Sequence, residues 1–173
     1  MIITVTDYRN INTRMIMDIY SESNSENADI FFPDETDRDT ALRKAEDGFL
    51  DYLKNDFFRQ PGASCRILEE EGIWVSALRL YMIRNGLYYI EALETRPDRR
   101  GKGYASALLS GVIESMKKDG PFMICDCVDK KNAASLRTHE KCGFRIVSDK
   151  GYDWLQDEAD DRDFGMEYRY DGK

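Results

Sequence analysis

Arg100-Gly101-Lys102-Gly103-Tyr104-Ala105 lies between a β-branched, aromatic run that ends at Thr95 and an amphipathic helical run that begins at Ala105. A loop passing straight into a helix leaves the first-turn N–H groups without intrahelical partners, and the helix dipole makes that end attractive to an anion. Gly101 and Gly103 let the backbone approach a phosphate closely, and Arg100 and Lys102 add positive charge. The string lacks both the dinucleotide spacing G-x-G-x-x-G and the Walker ending Gly-Lys-Ser/Thr, so its meaning depends on the neighbouring elements.

Downstream, Ala105, Leu108, Leu109, Val112, Ile113 and Met116 form one apolar helical stripe. After Asp119-Gly120-Pro121 the run Phe122 to Val128 reads as a strand, and a crossover of this length makes it parallel to Leu87–Thr95. Asn132 to Cys142 reads as a helix stopped by Gly143 in the left-handed conformation. Phe144–Val147 and Phe164–Tyr170 read as closing strands, with an acidic loop of Asp153, Asp157, Glu158, Asp160, Asp161 and Asp163 between them.

Upstream, Pro97 ends the strand Leu87–Thr95, and Asn85-Gly86 is the strongest hairpin signal in the chain, pairing that strand with Trp74–Arg84. A turn at Glu71-Gly72 joins Ile73–Ile83 to a strand at Cys65–Glu69. Before Gln60-Pro61-Gly62 the spacing of Leu42, Ala45, Phe49, Leu50 and Leu53 predicts a long helix, capped by Thr36 or Asp37 and running to about Phe57. Ser21 to Asp29 is polar and loop-like, and Ile30-Phe31-Phe32 is a hydrophobic patch stopped by Pro33. A short helix at Asn12–Tyr20 and a strand at Ile2–Asp7 complete the reading.

The 173 residues suit one domain, 1–173, with a proper core. A hydrophobic fraction of 42% argues against disorder. No apolar run approaches the ~20 residues of a membrane helix, and the amino terminus lacks a signal-peptide pattern, so a cytoplasmic protein with no membrane partner is expected. The net charge of −8 disfavours sequence-independent nucleic-acid binding; it suits either solubility or the attraction of cationic small molecules to a cleft. Cys65, Cys125, Cys127 and Cys142 include no C-x-x-C pair, so neither a metal site nor a thioredoxin-like pair is indicated, and small buried thiols are the expectation.

The order of strand, Arg/Gly loop, amphipathic helix, strand, Asn-started helix, Gly-Phe and strand resembles the GNAT N-acetyltransferase superfamily. The family's loop pattern Gln/Arg-x-x-Gly-x-Gly/Ala is met by Arg100, Gly103 and Ala105, and its Asn-to-Gly-Phe signature by Asn132 and Gly143-Phe144. The resemblance covers about Trp74 to Val147. It implies an α/β (α+β) fold whose mixed, mostly antiparallel sheet of six to seven strands, flanked by about four helices, contains a splayed parallel pair. It further implies acetyl-CoA as co-substrate, with its pyrophosphate on the backbone of Gly101, Lys102, Gly103, Tyr104, Ala105 and Ser106 beside Arg100. Backbone groups of Leu93 and Thr95 and the side chain of Asn132 would hold the pantetheine arm.

The activity implied is acetyl transfer to a primary amine of a small molecule or peptide, by direct attack in a ternary complex and with no metal. A non-catalytic acyl-CoA-binding module and an unrelated nucleotide-binding protein are the other readings. Glu91 and Glu94 are the carboxylates beside the proposed thioester. Strand alternation points them to opposite faces, with Glu91 favoured as base and Glu94 placed diagonally opposite Arg79 for an ion pair. His139 occupies the slot where many relatives carry an acidic Tyr. Its imidazole, with an ordinary pKa near ~6.5, could protonate the departing thiolate, or the residue could lie idle on the helix surface; Tyr104 and Tyr152 are alternative acids. The resemblance assigns acceptor specificity to Asn12–Phe58 and to the acidic stretch Ser148–Asp163. A homodimer is common among such proteins.

Overall fold

Seven strands hydrogen-bond into one sheet in a computed structural model that describes residues 1–173. In chain order they are β1 (Ile2–Val5), β2 (Ser64–Glu70), β3 (Ile73–Arg84), β4 (Leu87–Thr95), β5 (Phe122–Asp129), β6 (Arg145–Ser148) and, after a small separate hairpin of β7 (Gly151–Asp153) and β8 (Glu158–Asp160), β9 (Asp163–Tyr170). The spatial order is β1-β2-β3-β4-β5-β9-β6, and only β4 and β5 run parallel. The helices are α1 (Thr13–Ile19), α2 (Ser21–Phe31), α3 (Arg38–Asn55), α4 (Tyr104–Met116) and α5 (Ala133–Lys141).

Period-two alternation on the long central strands separates two cores. Cys65, Ile67, Ala77, Tyr81 and Tyr89 face α1 and α3, where Ile16, Ile19, Tyr20, Leu53 and Phe57 cover them. Leu78, Leu80, Ile90 and Ile124 face the stripe Leu108, Leu109, Val112, Ile113 and Met116 of α4. The expected hairpin forms at Asn85-Gly86, where Gly86 takes φ 74°. Asp37 caps α3, accepting from the amide of Asp39, and Gly143 follows α5 at φ 93°.

Two stretches differ from expectation. Ser21–Asp29 is helical rather than a loop, because α2 buries Asn24 and Ala28, one turn apart, and α3 sets Ala41 and Ala45 against Ala28. An inward face of such small and polar residues carries no apolar stripe to read, and packing overrides the low helix propensity of Ser and Asn. The acidic stretch is not an open loop, since Gly151–Asp153 pairs with Glu158–Asp160. Of the thiols, only Cys65 is fully buried; the other three are half-buried. No helix is long and apolar enough to cross a membrane.

Candidate active site

β4 and β5 pair only from Leu87↔Met123 to Ile90↔Asp126. Beyond that rung the strands part, and residues 91–95 of β4 lose their neighbour on that side. The gap opens into a cleft of about 740 Å³. Its walls are the free edge of β4, the loop and first turn of α4, the end of β5, α5 from its N-cap to its last turn, and Glu22, Ser23 and Glu26 of α2.

At one end of the cleft stands the start of α4. Its N-cap is Gly103, with φ 80° and no side-chain cap, so the first-turn amides have no capping acceptor. Gly101 takes φ 77°. An anion-holding cradle requires free amides, a positive helix end and cationic flanks. The amides and Arg99 and Arg100 lie in the cleft wall, so the residues present fit a diphosphate. Lys102 is exposed and, alone of residues 99–106, outside the wall. Arg100 donates from Nε to the Thr95 carbonyl at 3.3 Å and pairs with Glu22 of α2.

A Cβ built on Gly103 meets no atom within 4 Å, so substitution there is opposed by backbone conformation rather than by a clash. Gly103→Val is expected to lose about 1–2 kcal/mol from the left-handed backbone and to abolish thermal stabilisation by coenzyme A. Differential scanning fluorimetry with and without the coenzyme checks both parts.

Leu93 and Thr95 line the cleft from the unpaired edge of β4. Across from them Asn132 caps α5 through Oδ1, which accepts from the Ser135 amide at 3.0 Å, leaving its NH2 group for a ligand. Glu91 and Glu94 also line the cleft, but not on opposite faces. The register passes from Arg79↔Ala92 to Leu80↔Ile90, so Glu91 is the extra residue of a β-bulge. The bulge sets Glu91 on the Arg79 face, which Glu94, opposite Ala77, occupies as expected. Arg79 consequently pairs with Glu91 rather than Glu94: Nε donates to Oε2 at 2.9 Å and Nη2 to Oε1 at 3.2 Å. Glu94 instead accepts from the Ser23 hydroxyl at 2.6 Å, and burial raises its carboxyl above the usual range.

Arg79 is 9% exposed and stacks under Tyr20, Phe49 and Tyr52, whose ring centroids lie 4.8, 5.1 and 6.0 Å from its guanidinium carbon. These aromatics of the 12–58 segment are therefore core residues, and the segment's contribution to the cleft is the α2 trio Glu22, Ser23 and Glu26. None of residues 148–163 reaches the cleft wall.

His139 is not on the helix surface. It is 1% exposed, set edge-on to Phe144, with Nε2 2.7 Å from Asp126 Oδ2 and Nδ1 2.9 Å from the Ser135 carbonyl. The alternative acids are engaged elsewhere: the Tyr104 hydroxyl bonds Glu70, and that of Tyr152 bonds Asp157 in the β7–β8 hairpin. Both bonds favour the protonated phenol and raise its pKa. Burial pushes the Cys65 and Cys125 thiols up to about 12 and Cys127 to about 11, leaving them poor nucleophiles at neutral pH. Asp126, Arg99 and the α2 trio are among the cleft residues that sequence reasoning missed. Asp126 sits at an alternating inward position of a strand, which a sequence reads as core.

Residues 15–144 match the family described as Acetyltransferase (GNAT) family. Two curated sequences carrying the name L-methionine sulfoximine/L-methionine sulfone acetyltransferase are similar over short stretches. The Pseudomonas aeruginosa protein is 37% identical over 51 residues, 30% of each chain. The Salmonella typhimurium protein is 28% identical over 68 residues, 39% of this chain and 36% of that one. The alignments thus span only about a third of the length of these relatives. Among solved structures, the PaiA N-acetyltransferase of Thermoplasma acidophilum, in complex with coenzyme A, superposes with TM-score 0.63 at 17% identity, covering 98% of this chain and 99% of that one. YncA of Salmonella typhimurium, solved with acetyl-CoA, superposes with TM-score 0.61 at 20% identity, covering 99% and 94%.

Proposed function

Because the chain belongs to the GNAT acetyltransferase family, we propose that it transfers an acetyl group from acetyl-CoA to a primary amine of a small molecule or peptide, by direct attack in a ternary complex. The observation that carries this reading is the uncapped start of α4 at the mouth of a split parallel strand pair, with carboxylates on one wall and an imidazole on the other. The coenzyme complexes of PaiA and YncA support the choice of co-substrate. Acetyl-CoA supplies an activated acyl carbon and a thiolate leaving group.

The residues of this chain divide the remaining work. The amides from Gly101 to Ser106, with Arg100, hold the diphosphate. The unpaired edge at Leu93 and Thr95 takes the pantetheine amides as an added strand would be taken, and the Asn132 NH2 group binds the same arm. Glu91, oriented by Arg79, accepts the ammonium proton directly or through a water. His139 holds a proton for the sulfur. Raised thiol pKa values support attack by the amine itself over an acyl-cysteine route. Glu22, Glu26 and Glu94 add acidic groups to the cleft wall, Glu22 being offset by its pair with Arg100, and together with the net charge of −8 they support a cationic amine. The small amino-acid derivatives in the names of the curated relatives favour a small acceptor over a protein. Acetyl-CoA supply and four free thiols fit a cytoplasmic setting.

Acetyl-CoA is expected to raise the melting temperature, and thiol release from it should become amine-dependent with at least one member of a panel of diamines, amino acids and short peptides. Stabilisation without release from any amine would instead identify a coenzyme-binding module. Stabilisation by ATP or GTP but not by acetyl-CoA would remove the reading altogether.

A further inference from the structure

Asp126 partners Ile90 at the last rung before β4 and β5 part, so its side chain stands at the throat of the cleft. A carboxylate 6% exposed at such a position needs a partner, and its partner is His139. We infer that Asp126 is a positioning residue that keeps His139 doubly protonated, so that the pair holds a proton for the leaving sulfur at the throat of the cleft. This inference rests on the acetyl-transfer reading above.

The geometry supports it in two ways. Both ring nitrogens face oxygen acceptors, Nδ1 the Ser135 carbonyl at 2.9 Å and Nε2 the Asp126 carboxylate at 2.7 Å. A carbonyl and a carboxylate are both met by N–H groups only when the imidazole carries two protons. Secondly, both residues line the cleft, with Nε2 itself covered and aimed at Asp126, so that the carboxylate stands between the ring and the cleft.

The other groups around the ring carry no charge. From its own helix comes the Ser135 hydroxyl at 3.4 Å, and beyond the helix Phe144 packs edge-on. From α4, Ser106 and Ser110 bond the neighbouring Cys142, and β9 sets Met166 beside Asp126. Burial is the largest single effect and opposes the imidazolium, but Asp126 and the Ser135 carbonyl together outweigh it, and the net direction is upward. Burial also raises the Asp126 carboxyl, so the pair shares and retains one proton.

In the transfer, the amine nitrogen bonds to the acyl carbon and the C–S bond breaks with its electron pair on sulfur. The proton held between His139 and Asp126 goes to that sulfur. The amine's surplus proton leaves through Glu91 to water, and a solvent proton restores His139. An acid must be protonated to act, so the rate should fall as pH rises through the pKa of His139.

His139 is the only histidine in the chain, so its ring resonances need no assignment by mutation. In the full-length wild type, 15N NMR is expected to show both ring nitrogens protonated at neutral pH, with a titration midpoint above the ordinary ~6.5 that coincides with the alkaline limb of kcat. Asp126→Asn should weaken proton affinity about 10- to 1,000-fold and move midpoint and limb together to lower pH. A wild-type ring with one proton at neutral pH overturns the inference, as does a midpoint unmoved by Asp126→Asn or a limb that stays while the midpoint moves. If that variant does not fold, the wild-type coincidence decides. If no amine releases thiol, the acetyl-transfer reading fails by itself, and the NMR comparison still decides whether Asp126 sets the proton.

Discussion

Glu91→Gln is expected to lower kcat/KM about 10²- to 10⁴-fold, the range over which a positioned base contributes. The substitution conserves shape and one acceptor oxygen for Arg79 but cannot take a proton. Coenzyme binding should be unchanged, because the cradle at α4 and the β4 edge contribute backbone groups that Glu91 does not touch. Glu94→Gln is the decisive companion. Glu94 lies on the same sheet face as Glu91, and its raised carboxyl pKa would suit a base working near neutrality. If Glu94→Gln loses the larger share of rate, and with it the acid limb of the pH profile, the base assignment moves to Glu94 and Glu91 is left as the partner of Arg79.

Arg79→Leu should destabilise the fold by about 3–5 kcal/mol, read by urea unfolding. The side chains of Arg79 and Glu91 are only 10% and 15% exposed, and removing the guanidinium strands a carboxylate beneath Tyr20, Phe49 and Tyr52. The cost should come mainly from that unpaired charge rather than from the loss of an attraction. Arg79→Leu/Glu91→Leu is therefore expected to recover stability relative to the single variant while remaining inactive. A double variant no more stable than Arg79→Leu would show that the arginine acts through packing and its stacked rings. Loss of activity in a well-folded Arg79→Lys variant would point instead to the bidentate geometry, which an ammonium cannot reproduce.

The consequences of the bulge mark where sequence reasoning stopped. Alternation is reliable along an unbroken strand, and it correctly places Glu91 on the face of Tyr89. One added residue at Glu91 brings Glu91 and Glu94 onto one face, although Glu94 keeps its expected place diagonal to Arg79, and a bulge leaves no compositional trace at that position. The polar stretch Ser21–Asp29 failed for a related reason. Its helical face is recognisable only once α3 is beside it, since Asn24 and Ala28 do not look like a core pair. The same helix supplies Glu22, Ser23 and Glu26 to the cleft, whereas the acidic stretch 148–163, more conspicuous in the sequence, remains outside the wall.

Local chemistry alone determined the elements whose signals are contained within a few residues. The Asn85-Gly86 hairpin, the Asp37 cap, the glycines before α4 and the Asn132-to-Gly143 helix depend on backbone conformations that particular residues favour or forbid, so they can be read without knowing what packs against them. Tertiary structure alone decided what joins distant segments: that Arg79 meets Glu91, that α2 walls the cleft, and that Asp126 meets His139 at its throat. Those contacts arise from register and burial, which depend on the whole sheet and its covering helices at once, and no short window of sequence encodes them.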